Sequence, residues 1–288
     1  LVGSEMCIRD SGQSITYDAN GNPTRYYNGG TMTWRNGRQL ASYSLGGTTY
    51  SYEYDVNGLR TRKTNADGGY TEYYIIDGLP VAEQRHYDSG AEWYTMRYLY
   101  DESNNPVGFG MQYPTETKWE NYYFAKNVQG DIVAIYRYDY NASTQKPYGT
   151  LIATYQYDPW GNPRGIKDAS GKTIAQTANH VATYNPFRYR GYRYDGDTGL
   201  YYLQSRYYDP MTCRFVNADR YASTGQGQLG CNMFAYCNNS PENYSDPTGS
   251  RAMGPSYVIV NDGGSSRTGS TSEPSDSGFC LLYTSPSP

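Results

Sequence analysis

YEYDVNGLR, residues 52–60, is the stretch that decides the fold. In its Tyr-x-Tyr pair both rings point to the same face of a strand, because strand side chains alternate with a period of two. Asp55 then opens a turn by hydrogen bonding to nearby backbone, and Gly58 takes the positive φ at which the chain reverses. The stretch therefore predicts a β-hairpin with a tyrosine face.

The same unit recurs along the chain. Its kernel is Tyr-x-Tyr-Asp or Tyr-Asp followed by residues that include Gly or Asn, and copies lie at 17–22, 98–101, 136–139, 155–162 and 192–195, with weaker ones at 76–78 and 87–90. Spacings such as the 19 residues from Asp139 to Asp158 indicate a unit of roughly twenty residues. One hairpin cannot bury its aromatic face alone, so successive units should stack edge to edge. We expect an all-β chain, a strip of hairpins.

The composition fits many short strands and tight turns. Among 288 residues there are 36 Tyr and 32 Gly, but 6 Phe and 4 Trp, and the mean hydropathy is -0.82. Disordered segments are poor in aromatic residues, so the chain should fold. The net charge of -4 and the scattered basic residues give nucleic-acid binding little electrostatic support. No run approaches the roughly 18 apolar residues of a membrane-spanning helix.

The two ends differ from everything between them. Residues 2–11 are VGSEMCIRDS and residues 280–288 are CLLYTSPSP. Codons ATG TGT ATA AGA GAC AG encode Met6 to Ser11, and the reverse complement of that DNA encodes Cys280 to Thr284. We interpret residues 1–11 and 280–288 as derived from a sequencing adaptor and exclude them from the fold, the alternative being natural, poorly ordered termini. A missing signal peptide then says nothing about the intact protein.

No metal or cofactor is expected. Outside those ends three cysteines remain, none of them in a Cys-x-x-Cys pair: Cys213, Cys231 and Cys237. The two histidines, His86 and His180, are distant in sequence, whereas zinc ligands normally occur as close pairs. In an exported protein a disulfide between Cys231 and Cys237 is an alternative, although buried or idle thiols are favoured. No glycine-rich loop of the phosphate-binding type follows a strand.

Two other interpretations of the repeat stay open. One is an ordinary β-sandwich that is rich in tyrosine. The other is a cell-surface carbohydrate-binding or adhesive array, since aromatic repeats of about twenty residues also form sugar-stacking sites. Such arrays favour tryptophan, but here the four tryptophans share no repeat position: Trp34, Trp93, Trp119 and Trp160.

The second half of the chain resembles the Rhs repeat-associated core. The motifs that carry the resemblance are YYFAKNVQGDIVAI at 122–135, NPFRYRGY at 185–192, TGLYYLQSRYYDP at 198–210, RFVNAD at 214–219, NMFAYCNN at 232–239 and DPTG at 246–249. The weaker repeats before them resemble the YD repeats of the same family. The resemblance implies a long β-sheet strip that winds into part of a hollow shell. It also implies that the core segment, with a few short helices, curls inward to plug one end.

The resemblance further implies the domain order and the function. Residues 12–121 are expected to be YD repeats, 122–249 the core and 250–279 a truncated variable region or linker, with the toxin itself absent. The expected role is a structural shell fragment of a bacterial polymorphic toxin that encapsulates and delivers a C-terminal toxin domain. Expected partners are that toxin as cargo, a secretion apparatus and cell-surface components, and the expected location is secreted or at the bacterial surface.

In relatives, self-cleavage after the core resembles aspartic-protease chemistry, in which two carboxyl groups share one proton. The positions that match are Asp219 and Asp246, with Arg214 as a supporting cation. Asp246 also opens an Asp-Pro-x-Gly type I turn, as Asp158 does, so a role in the turn alone stays open. Ser250 stands where cleaving relatives usually have Leu, and Cys213 where Gly is common. Any enzymatic activity would be this single cleavage.

Four arginines of the core lie among tyrosines: Arg188, Arg190, Arg193 and Arg206. We expect them to stack on rings and pair between strands rather than to bind a ligand. Short helices are expected within residues 177–184 and 232–238.

Overall fold

The computed structural model describes residues 14–219 and 232–254. The two ends interpreted as adaptor-derived, Cys231 and most of the predicted variable region lie outside the described residues.

A single antiparallel sheet occupies most of the described chain. Within residues 14–219 and 232–254 it has fifteen strands whose spatial order is their sequence order, and each strand pairs with the next. The strands are β1 Thr16–Tyr17, β2 Pro23–Arg25, β3 Thr31–Arg35, β4 Gln39–Leu45, β5 Thr48–Tyr54, β6 Arg60–Thr64, β7 Tyr70–Ile76, β8 Leu79–His86, β9 Glu92–Tyr100, β10 Pro106–Gln112, β11 Glu120–Lys126, β12 Ile132–Asn141, β13 Lys146–Tyr157, β14 Pro163–Asp168 and β15 Thr173–Ile174. The predicted all-β strip of laterally paired hairpins is confirmed. We call this sheet the strip.

The turns form as the repeat predicts. Asp55 Oδ1 accepts the backbone N–H groups of Asn57, at 2.9 Å, and Leu59, at 2.8 Å. Gly58 takes a φ of +84°. Asp158 makes the same pair of bonds, to Trp160 and Asn162, which carries the chain from β13 to β14. The aspartate thus fixes the turn, and a residue with positive φ reverses the chain.

The Tyr-x-Tyr pairs do share a face, but not always the buried one. Tyr52, Tyr98 and Tyr155 are buried, whereas Tyr136 and Tyr138 are exposed. The pairing of β12 with β13 shifts register between Ile135 and Tyr136. Such an irregularity moves the following side chains to the other face, so this repeat unit directs its rings outward.

A second, four-stranded sheet forms from the end of the core segment. Its strands are β16 Arg193–Asp195, β17 Leu200–Leu203, β18 Arg206–Asp209 and β19 Arg214–Phe215. Aromatic side chains fill its interior, and the rings of Tyr208 and Tyr236 stack with centroids 3.9 Å apart. Helical structure is limited to α1, Val181–Tyr184, and two 3₁₀ turns, Tyr189–Gly191 and Cys237–Asn239, in the part of the chain that the structure describes.

The strip curls around the four-stranded sheet. The hydroxyl of Tyr26, just after β2, donates to Asp209 Oδ2 at 2.8 Å. Asn162, just before β14, donates from Nδ2 to the carbonyl of the adjacent Pro210 at 2.9 Å. In a flat sheet β2 and β14 would lie about 58 Å apart, at about 4.8 Å per strand. The two ends of the strip therefore meet over one point of the four-stranded sheet.

Buried ion pairs join the two sheets. Arg60 of β6 lies 2.5 Å from Asp195 of β16, and Arg193 of β16 lies 2.7 Å from Glu83 of β8. All four side chains are almost fully buried. Tyrosine rings pack around these charges, for example Tyr73, whose ring centroid lies 4.6 Å from the guanidinium carbon of Arg193. These ion pairs and rings hold the four-stranded sheet against one face of the strip.

Strand pairing runs across the predicted boundary between residues 121 and 122. β10, β11 and β12 pair in sequence without a break, so the first part of the core segment belongs to the strip. The division into YD repeats and core stays a prediction. Within residues 14–219 and 232–254, no helix has the length and apolar character needed to cross a membrane.

Candidate functional site

Asp219 and Asp246, 27 residues apart, lie on either side of one arginine. Arg206 Nη2 is 2.8 Å from Asp219 Oδ2 and 3.6 Å from Asp246 Oδ2, and all three side chains are buried. Arg206 begins β18, Asp219 follows β19, and Asp246 opens the turn that ends the core segment. The four-stranded sheet is what brings these distant positions together.

The guanidinium of Arg206 is held from several sides. Its Cζ lies 3.5 Å from the ring centroid of Phe215. Nη1 donates to the carbonyl of Met233 at 3.1 Å, and Nε donates to the carbonyl oxygen of Gly249. The planar group therefore presents fixed donors to two carboxylates and one peptide carbonyl.

The Asp246 turn presents the next peptide bond to this arginine. Asp246 Oδ1 accepts the N–H groups of Ser250, at 3.0 Å, and Arg251, at 3.2 Å. The backbone N–H of Asp246 donates to the hydroxyl of Tyr192 at 2.8 Å. Gly249 has a φ of +69°, which a residue with a side chain rarely adopts. The bond between Gly249 and Ser250 is thereby held at its carbonyl oxygen by Arg206 and at its N–H by Asp246.

Burial and charge set the protonation of the site. Burial raises the pKa of Asp246; Arg206 opposes that rise and the neighbouring Asp219 adds to it. Burial also lowers the pKa of Arg206, while the two carboxylates act in the opposite direction. The raised pKa favours the protonated form of Asp246, and Asp219 contacts the same arginine. Such a pair can activate a nucleophile with one group and protonate a leaving group with the other.

Comparison with known proteins identifies the family. No family model matches the chain. The tRNA nuclease WapA of Bacillus subtilis (strain 168) is 34% identical over 255 residues, which are 87% of this chain and 10% of WapA. The double-stranded DNA deaminase toxin A of Burkholderia cenocepacia (strain H111) is 27% identical over 261 residues, covering 72% of this chain and 17% of that protein. The chain belongs to the Rhs family of toxin-associated proteins.

A solved structure shares the Rhs fold. The crystal structure of TcdB2-TccC3-Cdc42 matches 81% of this chain and 11% of that chain, with a TM-score of 0.61 and 22% identity. At that identity the likeness shows the fold alone. The Rhs chain spans about a tenth of the length of the WapA proteins that it matches.

The structure brings two of the three predicted site residues together. Asp219 and Asp246 share Arg206, for which the sequence had suggested ring stacking and pairing between strands rather than a place in the site. Arg214 lies on β19 next to Tyr17; there burial raises the pKa of the tyrosine, and Arg214 opposes the rise by its charge and a hydrogen bond. A role for Arg214 in the site stays a prediction. The sequence did not single out Arg206, because its burial, which demands an anionic partner, is visible only in the structure.

The other core arginines stack as expected. The guanidinium carbon of Arg188 lies 4.4 Å from the ring centroid of Tyr155. That of Arg190 lies 5.3 Å from the ring of Tyr189, while its Nε is 3.7 Å from Asp131. With Arg193 on Tyr73, these three side chains serve the packing of the core segment against the strip.

One cysteine agrees with the favoured sequence interpretation and one departs from it. Cys237 is a buried free thiol, as favoured, so the alternative of a disulfide between Cys231 and Cys237 is wrong. Burial raises the pKa of Cys237 to about 12, which leaves the thiol protonated and unreactive at neutral pH. Cys213, in contrast, is disulfide-bonded rather than idle.

Proposed function

We propose that this chain is part of the wall and the end plug of an Rhs shell that encloses and delivers a C-terminal toxin domain. That toxin would be its cargo, a secretion apparatus and cell-surface components its further partners, and the bacterial surface or exterior its location. The observation that carries the proposal is the curled strip, whose ends meet at Asp209 and Pro210. A wall that bends this strongly within fifteen strands encloses volume on one side.

The relatives add an independent argument. One is named as a tRNA nuclease and another as a DNA deaminase toxin, and both share this segment. Because the same segment occurs in proteins with such different named activities, a structural role explains its presence better than nuclease or deaminase activity does.

Protease protection tests the shell. A cargo with a protease site would be placed after the core in the longest gene product that carries this segment, beside a version with Arg193→Ala, which removes the buried partner of Glu83. We expect the cargo to resist protease in the first protein and to be cut in the second. Equal and rapid cutting in both would contradict enclosure.

We further propose that the core segment cleaves itself beside the Asp246 turn. Asp219 and Asp246 would act as the carboxyl pair, and Arg206 would hold the carbonyl oxygen that becomes negative during attack. The supporting geometry is the Gly249 carbonyl on Arg206 Nε and the Ser250 N–H on Asp246 Oδ1, at 3.0 Å.

Asparagine substitutions test this chemistry with an internal control. Asp219→Asn and Asp246→Asn should each slow the appearance of a shorter product by about 100-fold or more, because one member of the pair can no longer ionise. Asp158→Asn is the matched control, since Asp158 opens an equivalent Asp-Pro-x-Gly turn. Wild-type chain that stays full length on a gel would end the proposal.

A carbohydrate-binding or adhesive role is the second candidate. It is favoured by exposed tyrosines on and beside β12: Tyr123, Tyr136, Tyr138, Tyr140 and Tyr148. Exposed aromatic faces can stack on sugar rings. Glycan-array binding that is abolished by Tyr138→Ala and Tyr140→Ala would support this role, and an array without signal would exclude it for the sugars present.

A further inference from the structure

A cleft of about 540 Å³ lies between the strip and the segment 176–197. Strands β5 to β9 form its floor, and its roof is the segment that leads through α1 into β16. Small-molecule sites in proteins occupy about 300–1,000 Å³, so the cleft has the size of a binding site. Asp219 and Asp246 do not line it, and the cleft is therefore separate from the candidate site described above.

The charged groups in the walls of the cleft are already satisfied. Each carboxylate that lines it pairs with a cation: Asp67, Glu83, Asp195 and Asp197. The bond from Arg85 to Asp67 is 2.7 Å long, for example. Arg188, a further cation of the wall, donates to the backbone carbonyl of Ala182 at 2.7 Å. An anion in the cleft would gain little from cations that are paired and would be repelled by the carboxylates, and a cation would meet the reverse. The walls thus favour a neutral ligand.

Tyrosine rings with available hydroxyls line the same walls. Tyr50, Tyr94 and Tyr184 face the cleft, and none of their hydroxyls hydrogen bonds to another residue of the described ranges. The rings of Tyr94 and Tyr184 lie together, with centroids 5.2 Å apart. The exposed Gln176 adds a side-chain amide that makes no hydrogen bond within residues 14–219 and 232–254. Ring surface and polar groups of both kinds, donor and acceptor, are therefore available to a ligand.

We propose that this cleft binds a short neutral oligosaccharide. Tyrosine rings pack against the apolar faces of sugars, while the hydroxyl and amide groups hydrogen bond to the sugar hydroxyls. An apolar ligand of the same size would cover the polar walls without replacing their hydrogen bonds, which is costly. The site is distinct from the exposed tyrosines on and beside β12, and it depends on neither the shell nor the self-cleavage proposed above.

Calorimetric titration of the 288-residue chain tests the site. The probes are three neutral trisaccharides, maltotriose, cellotriose and chitotriose, and one acidic trisaccharide, trigalacturonate. We expect at least one neutral probe to bind with a Kd below about 1 mM. Trigalacturonate should bind about 10-fold more weakly or not at all, because the carboxylates of the cleft repel it.

Variants of the chain locate the binding. Tyr94→Phe keeps the ring and removes the hydroxyl, so it should raise the Kd of the neutral probe about 2- to 10-fold. Gln176→Ala should have an effect of the same size, and because Gln176 is exposed this variant tests the cleft without disturbing the core. Tyr138→Phe is the matched control, since it removes the hydroxyl of an exposed tyrosine outside the cleft, and it should leave the Kd unchanged.

Three outcomes would overturn the proposal. The first is a chain that binds none of the neutral probes at concentrations up to about 10 mM. The second is tighter binding of trigalacturonate than of every neutral probe. The third is binding that persists unchanged in Tyr94→Phe and Gln176→Ala but is lost when Tyr138 and Tyr140 are both changed to alanine, because the sugar would then lie on the exposed tyrosines. None of these outcomes bears on the shell, which protease protection tests separately.

Discussion

At the scale of single residues, Asp195 links the four-stranded sheet to the strip through two cations. Its carboxylate lies 2.5 Å from Arg60 Nη1 and 3.6 Å from Lys63 Nζ, and all three side chains are buried. Burial acts to raise the pKa of Asp195, but the two cations outweigh it and hold the pKa at about 2. Removing this charge would leave Arg60 buried without its partner, which is the costly way to break an ion pair.

Asp195→Asn should therefore lower the free energy of unfolding by about 3 kcal/mol at pH 7. Asp197→Asn is the matched control. Asp197 also pairs with Lys63, at 3.2 Å, but its side chain is 32% exposed, so its loss should cost less than about 1 kcal/mol. Urea unfolding followed by tyrosine fluorescence measures both. Equal losses in the two variants would contradict the assigned role of Asp195.

The ion pair between Asp195 and Arg60 also makes the free energy of unfolding depend on pH. Because the folded-state pKa of about 2 lies below the ordinary aspartate pKa of 3.8, ionised Asp195 adds stability above that range. The contribution is lost as the pH falls from 3.8 toward 2. The difference in unfolding free energy between wild type and Asp195→Asn should thus be full at pH 7 and shrink across that window. A difference that stays constant down to pH 2 would rule out this titration.

The candidate site shows what a sequence can and cannot predict at this scale. Asp219 and Asp246 could be named from the resemblance, and they do lie together. Arg206 could not be named with them, because the sequence offers several arginines among tyrosines and gives no distances between strands. The folded arrangement alone shows that Arg206, which pairs with Leu203 of β17, lies beside both Asp219 and Asp246.

At the scale of elements, the turn after β13 carries a packing constraint that its neighbours lack. Gly161 has a φ of +89°, and a Cβ there would lie 2.6 Å from the Tyr189 ring. Gly130 stands at the same place in another turn with a φ of +88°, and a Cβ there would meet nothing within 4 Å. The two glycines therefore share a backbone conformation and differ only in what surrounds them.

Gly130→Ala should cost about 1 kcal/mol of unfolding free energy, the strain of a left-handed residue. Gly161→Ala should cost that amount and a further 1–3 kcal/mol or so, because the ring of Tyr189 must move within a packed core. Thermal unfolding of the two variants beside wild type makes the comparison. Equal losses would show that the close contact with Tyr189 does not matter.

The hairpins themselves were largely predictable. Tyr-x-Tyr-Asp and the following Gly fix the strand, the turn and the shared face through local geometry alone, as Asp55 and Gly58 illustrate. The local sequence does not predict which face of each hairpin is buried. Tyr136 and Tyr138 point outward because the pairing shifts beside them, and that shift depends on the partner strand.

At the scale of the whole molecule, the curl of the strip brings together residues that sequence patterns cannot connect. Tyr26 and Asp209 are 183 residues apart and make a buried hydrogen bond. The repeat predicts that neighbouring hairpins pair, but not how far the sheet twists and bends over fifteen strands. That curvature depends on the tyrosines and ion pairs that dock the four-stranded sheet, which come from the other end of the chain.

A distance across the strip tests this account most directly. Spin labels on unnatural amino acids at Thr24 of β2 and Lys167 of β14, both exposed, would leave Cys213 and Cys237 untouched. Pulsed electron resonance should give a distance below about 30 Å, because both strands lie beside residues that contact Asp209 and Pro210. A main distance near 58 Å, roughly the span of a flat strip, would contradict the curled wall on which the shell proposal rests.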